Sequence, residues 1–99
     1  MRRARSPHAL FLIHAMRLLL EEIGCQEAES RSSGLGVAPW YYEQLAIIYR
    51  KLGQHEEELA VLERYDRQIK APGARPALLK IRLEKVRARR STQLRARTN

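Results

Sequence analysis

Between Leu10 and Ile23 the apolar residues recur as Leu10, Ile13, Met16, Leu19, Leu20 and Ile23, steps that fall on one broad face of a helix. Ser6-Pro7 opens this stretch with a capping side chain and a proline whose missing N–H costs nothing in a first turn. Gly24 is one possible stop, but Cys25-Gln26-Glu27-Ala28-Glu29 is good helical material, so the pattern predicts a helix over 7–29. The stretch from Ser30 to Val37, which contains Ser32-Ser33-Gly34-Leu35-Gly36, then reads as a flexible loop. Pro39 begins a second helix over 39–52, where Tyr42, Leu45, Tyr49 and Leu52 repeat at helical spacing, widened by Tyr41 and Ile48. Gly53 closes it in the left-handed conformation that glycine adopts cheaply. A third helix over 54–70 carries Leu59, Leu62, Tyr65 and Ile69 in a row, with Val61 beside them. Glu56, Glu57 and Glu58 crowd its first turn, read as solvated carboxylates that offset the positive end of the helix dipole. Ala71-Pro72-Gly73 interrupts the chain, and Pro76 starts a fourth helix over 76–90, seamed by Leu79, Leu83 and Val86 with Leu78 alongside. Past Ala88 only Leu94 stands among Arg89, Arg90, Arg95 and Arg97, so 89–99 reads as a basic, frayed tail. Alternating β-branched runs are missing. The prediction is an all-α fold, an antiparallel array of about four helices over 7–88, preceded by a basic arm at 1–6.

The stretch from Tyr41 to Leu59 resembles a tetratricopeptide repeat. Tyr42, Leu45, Ala46 and Tyr49 follow the order and spacing of that repeat's first helix, and Leu52-Gly53 matches its turn. The resemblance implies a helical hairpin in which the small Ala46 lets the second helix approach the first closely. The second helix departs from the pattern. Glu58 and Tyr65 stand where small residues are expected, and the closing proline is displaced to Pro72. No second copy is visible in the flanks, so the hairpin at 40–70 is expected to be covered by two unlike helices.

Ninety-nine residues bound this to one small domain with a modest core, for which self-association is a plausible source of added stability. A lone cysteine, Cys25, allows no internal disulfide and points to a reducing, cytoplasmic setting, with the thiol buried or idle. His14 and Arg17 interrupt the first apolar stretch and no small-residue cleavage site follows, so a signal peptide is not expected. Nothing approaches the length of a membrane span.

The net charge of +8 is unevenly spread. Residues 1–20 hold four arginines and no acid, residues 75–99 hold nine basic residues against Glu84, and residues 21–74 hold six basic and ten acidic residues. Arginine outnumbers lysine by fifteen to four, a bias that GC-rich coding produces without selection, but codon bias does not explain the polarity between middle and ends. On the fourth helix Lys80, Arg82, Lys85, Arg87, Arg89 and Arg90 are candidates for phosphate contacts. Their alternative roles are a solvated face or pairing with the acidic middle of a neighbouring copy. Trp40-Tyr41-Tyr42 is the aromatic cluster: Tyr42 belongs to the core by its period, whereas Trp40 and Tyr41 are candidates for partner contact. His8, His14 and His55 are scattered without metal-ligand spacing, and no glycine-rich phosphate loop follows a strand, so neither metal, cofactor nor enzymatic activity is expected. The leading expectation is a helical protein-interaction module or self-associating domain. The alternative is a nucleic-acid-binding protein acting through the basic fourth helix.

Overall fold

The structure, a computed structural model, describes residues 7–73 and 75–98. The expected basic arm at 1–6, with the Ser6 cap, lies outside the described residues, as does the side chain of Arg97. Four helices are present among them: α1 (Pro7–Ser33), α2 (Pro39–Lys51), α3 (His55–Asp66) and α4 (Arg75–Thr98). The all-α expectation holds. Helix α2 packs against each of the other three, and α3 also packs against α4. The molecule is a slab of 49 × 36 × 19 Å with a radius of gyration of 15.3 Å. A compact chain of this length has about 13 Å. A slab about two helices thick buries one stripe of each outer helix and leaves other apolar residues in solvent.

Helix α1 passes straight through Gly24 and runs beyond the expected residue 29 to Ser33. It ends where Gly34 takes a φ of 74° and donates its N–H to the Ser30 carbonyl at 2.8 Å. Its buried stripe is shifted from the expected one: Leu12 and Ile23 are buried, Met16, Leu19 and Leu20 are partly buried, and Leu10 faces solvent. Continued past Ile23, the stripe brings in Glu27 and Ser30, both buried.

Pro39 stands at the start of α2, and Tyr42, Leu45, Ala46, Ile48 and Tyr49 form its inner face. The α2–α3 turn is a Schellman cap: Gly53, at φ 74°, donates to the Arg50 carbonyl (3.1 Å), and Gln54 donates to that of Tyr49 (2.8 Å). Leu59, Val61, Leu62 and Tyr65 of α3 meet this face, and Leu79, Leu83 and Val86 of α4 complete the core, as their spacing predicts.

Two helix ends and two side-chain placements differ from expectation. Helix α3 stops at Asp66 rather than near residue 70, because the chain turns to satisfy a buried loop. The Val37 N–H bonds to the Ile69 carbonyl at 2.8 Å, and the Ala71 N–H bonds back to Val37 at 3.3 Å, forming a lone parallel bridge. Ile69, expected in the α3 apolar row, is therefore exposed. Helix α4 continues through the expected frayed tail to Thr98. Apolar support does end at Val86, but residues 87–97 contain no glycine or proline and are rich in arginine, with two alanines and Leu94, all good helix formers. Leu78 turns to solvent.

The segment over 34–38, expected to be flexible, is pinned. Gly36 has a φ of 92°, and a Cβ on it would lie 2.6 Å from the Ala71 nitrogen and 2.7 Å from the Lys70 carbonyl carbon. Only glycine permits that approach. Val37 is fully buried beneath the bridge.

Candidate functional site

Two buried carboxylates brace the α2–α3 hairpin to its neighbours. On one side Glu27 of α1 receives both Nε (2.7 Å) and Nη2 (2.9 Å) of Arg64 from α3, and the Tyr42 hydroxyl from α2 at 2.9 Å. The Arg64 hydrogen bond, aided by that of Tyr42, holds the Glu27 carboxyl below its ordinary range against the opposing effect of burial. Burial, then the carboxylate partner, pushes the Tyr42 phenol well above its usual value, so it remains a donor. On the other side Glu58 of α3 is fully buried, and its Oε2 accepts Nε of Arg50 from α2 (3.1 Å) and both Nε (3.1 Å) and Nη2 (2.8 Å) of Arg82 from α4. Glu58 is thus a core residue, not part of a solvated helix start; Glu56 and Glu57 are exposed as expected.

Arg82 is one of six cations singled out on α4, and its role here is structural. Three others also face carboxylates of this chain: Lys80 with Asp66 (3.3 Å), Arg87 with Glu63 (3.2 Å) and Arg90 with Glu56 (3.1 Å). The acidic partners all belong to α3, so part of the charge polarity of the sequence is matched within the molecule. Lys85 and Arg89 are both exposed, Arg89 lining the cleft between α4 and the start of α3.

Trp40 and Tyr41 are brought together at the start of α2. Their rings meet edge to face, with centroids 5.3 Å apart, a geometry aromatic pairs favour. Tyr41 is partly buried and packs on the core, whereas Trp40 is 52% exposed. What lies beneath them is firm: the Ala38 N–H bonds to Gln26 Oε1 of α1 at 3.3 Å, and Val37 is fixed by its bridge. Tyr42, next in sequence, is fully buried and packs on Tyr65 with centroids 5.0 Å apart.

A second concave feature runs between α2 and α4. Ala46, Ile47, Leu62, Leu78 and Leu79 line it, with Glu43, Arg50 and Arg82 at its rim, around a volume of about 220 Å³. That is below the about 300–1,000 Å³ typical of small-molecule sites and suits a side chain or two of a docked segment.

Among the described residues no group of three histidine, cysteine or acidic side chains is placed to hold a metal ion. His8, His14 and His55 are separate and exposed. Cys25 is exposed rather than buried, and unpaired as a disulfide. No described helix is long and apolar enough to cross a membrane.

Sequence reasoning missed the Glu27–Tyr42–Arg64 and Arg50–Glu58–Arg82 braces. The signal was present: Glu27 continues the α1 stripe from Ile23, and Glu58, Val61, Leu62 and Tyr65 share one helical face. A carboxylate on an apolar stripe asks for a cationic partner. Comparisons with protein-family models, curated proteins and solved structures find no match to this chain.

Proposed function

We propose that this chain is a non-enzymatic helical protein-interaction module built on a tetratricopeptide-like hairpin, with Trp40 as its principal contact. The observation that carries the reading is a half-exposed tryptophan held on a fixed base, where Pro39, the Tyr41 ring and the Val37 bridge leave it little freedom. A large aromatic already ordered before binding loses little entropy when a partner covers it. The packing order supports the hairpin: α2 and α3 pair, α1 lies against the first and α4 against both. The two most buried carboxylates are engaged by arginines, which supports a scaffold rather than acid–base chemistry. An exposed free thiol at Cys25 fits a reducing, cytoplasmic setting.

Nucleic-acid binding through α4 has less to work with. Lys80, Arg82, Arg87 and Arg90 each face a carboxylate of α3, which offsets the field that would attract phosphate.

Affinity capture with the full chain, after nuclease treatment, tests the reading. The expected result is a defined set of protein partners lost with Trp40→Ser, a variant that melts like the parent. Capture that disappears with nuclease, or is indifferent to Trp40, would contradict it.

A further inference from the structure

Leu35 is 75% exposed and Ile69 is 61% exposed, more than a chain with this few core residues would be expected to leave open without use. They are remote in sequence but adjoin in space. The Val37 N–H bonds to the Ile69 carbonyl at 2.8 Å, and Gly36 lets the two backbones press together. Trp40 follows Val37 by three residues, at the start of α2. Three exposed apolar residues thus lie within three residues of one backbone bridge.

Arg31, in the last turn of α1 and four residues before Leu35, and Arg67, at the end of α3 and two residues before Ile69, are both exposed. The nearby carboxylates are already engaged: Glu27 by Arg64, Asp66 by Lys80 and Glu43 by Arg75. Glu29 lies two residues before Arg31, a spacing that places it on another side of α1. The Lys70 ammonium is occupied by the Asp66 and Gln68 carbonyls and by the Tyr65 ring. What remains is a set of exposed apolar residues with two exposed guanidinium groups close by along the chain, of which Arg31 also favours the Glu27 carboxylate.

We infer that the Leu35–Trp40–Ile69 end docks an acidic, apolar segment of a partner protein, with Arg31 and Arg67 meeting its carboxylates. The inference rests on the interaction-module reading and adds the surface and the chemistry of the partner. Apolar side chains of the segment cover Leu35, Trp40 and Ile69, and alternating acids select its orientation. Two arginines beside three apolar groups suit a peptide better than a nucleic-acid backbone, which asks for a longer row of cations.

The test uses the full chain and a displayed library of random peptides. Enriched sequences should combine Asp or Glu with Leu, Phe or Trp, and should shift the emission of Trp40, the single tryptophan, to the blue as they bind. Affinity should fall by about tenfold or more in Leu35→Ser/Ile69→Ser, and again in Arg31→Glu/Arg67→Glu. A peptide with its acids changed to lysine should bind that last variant better than it binds the parent. All of these positions are exposed, so the apolar variant should melt with the parent; Arg31→Glu also removes a cation that favours the Glu27 carboxylate, and the lysine-peptide rescue separates lost contact from lost stability. Failure to enrich any sequence, enrichment of basic or neutral sequences, or affinities within about twofold of the parent in both variants would overturn the inference. Binding lost instead with Ile47→Asp/Leu78→Asp would keep the interaction module but move its site to the α2–α4 groove. Competition by single-stranded oligothymidylate at physiological salt would overturn it in favour of nucleic acid.

Discussion

Glu58 carries the clearest lesson at the scale of a residue. It sits on the buried face of α3, where the repeat pattern expects a small side chain, and two arginines from flanking helices neutralise it there. Its neighbours Glu56 and Glu57 are exposed, so composition alone could not separate the three; the helical period could. Arg82 and Lys85 were equivalent as charges in the sequence and are not equivalent in the fold. Arg82→Ala removes two of the three N–H donors on a fully buried carboxylate oxygen and should cost about 3 kcal/mol. Lys85→Ala, on the exposed side of α4, should stay within about 0.5 kcal/mol. Denaturant unfolding of both variants checks this: equal effects would mean that Glu58 does not depend on Arg82. The nomination of Trp40 was legible because its neighbour Tyr42 fits the buried period and Trp40 does not.

The elements were easier to read than their ends. Proline starts and the Leu52-Gly53 turn fix α2 locally, and the seam of α4 follows from Leu79, Leu83 and Val86 alone. The end of α3 was not legible, because it is set by Val37, 29 residues before Asp66, whose buried backbone takes its partners from Ile69 and Ala71. The tail of α4 is the opposite case, helical by local propensity with little packing to require it. Beyond Arg87, Arg90 pairs with Glu56, both well exposed, and exposed pairs of this kind contribute little. Truncation after Arg87 should lower total helicity in proportion to the residues removed and change stability by less than about 1 kcal/mol. Circular dichroism melts decide it; loss of cooperative unfolding would show that the tail is part of the core.

At the scale of the molecule, opposite charges separated in sequence are joined in space, and two braces tie a thin slab together. The pH dependence should reveal them. Glu27 has its carboxyl held down in the folded state, so its contribution is present above the unfolded value of 4.5 and is lost as pH falls through the lower folded one. The melting temperature should fall on acidification below that point, and the fall should shrink in Glu27→Gln. On the alkaline side, burial raises the Tyr42, Tyr49 and Tyr65 phenols, so the unfolded chain releases protons first and stability should drop as pH rises past 10.0. The proposed contact surface was less legible than the fold because it is assembled from a loop, a helix start and a connection, none of which has a period. Photo-crosslinking from position 40 tests the central claim most directly, with a benzophenone side chain in place of Trp40 and a control at the exposed Glu84 on the outer side of α4. The account predicts discrete, nuclease-resistant protein adducts from position 40 and none of them from position 84. No adduct at position 40, or the same adducts from both positions, would contradict it.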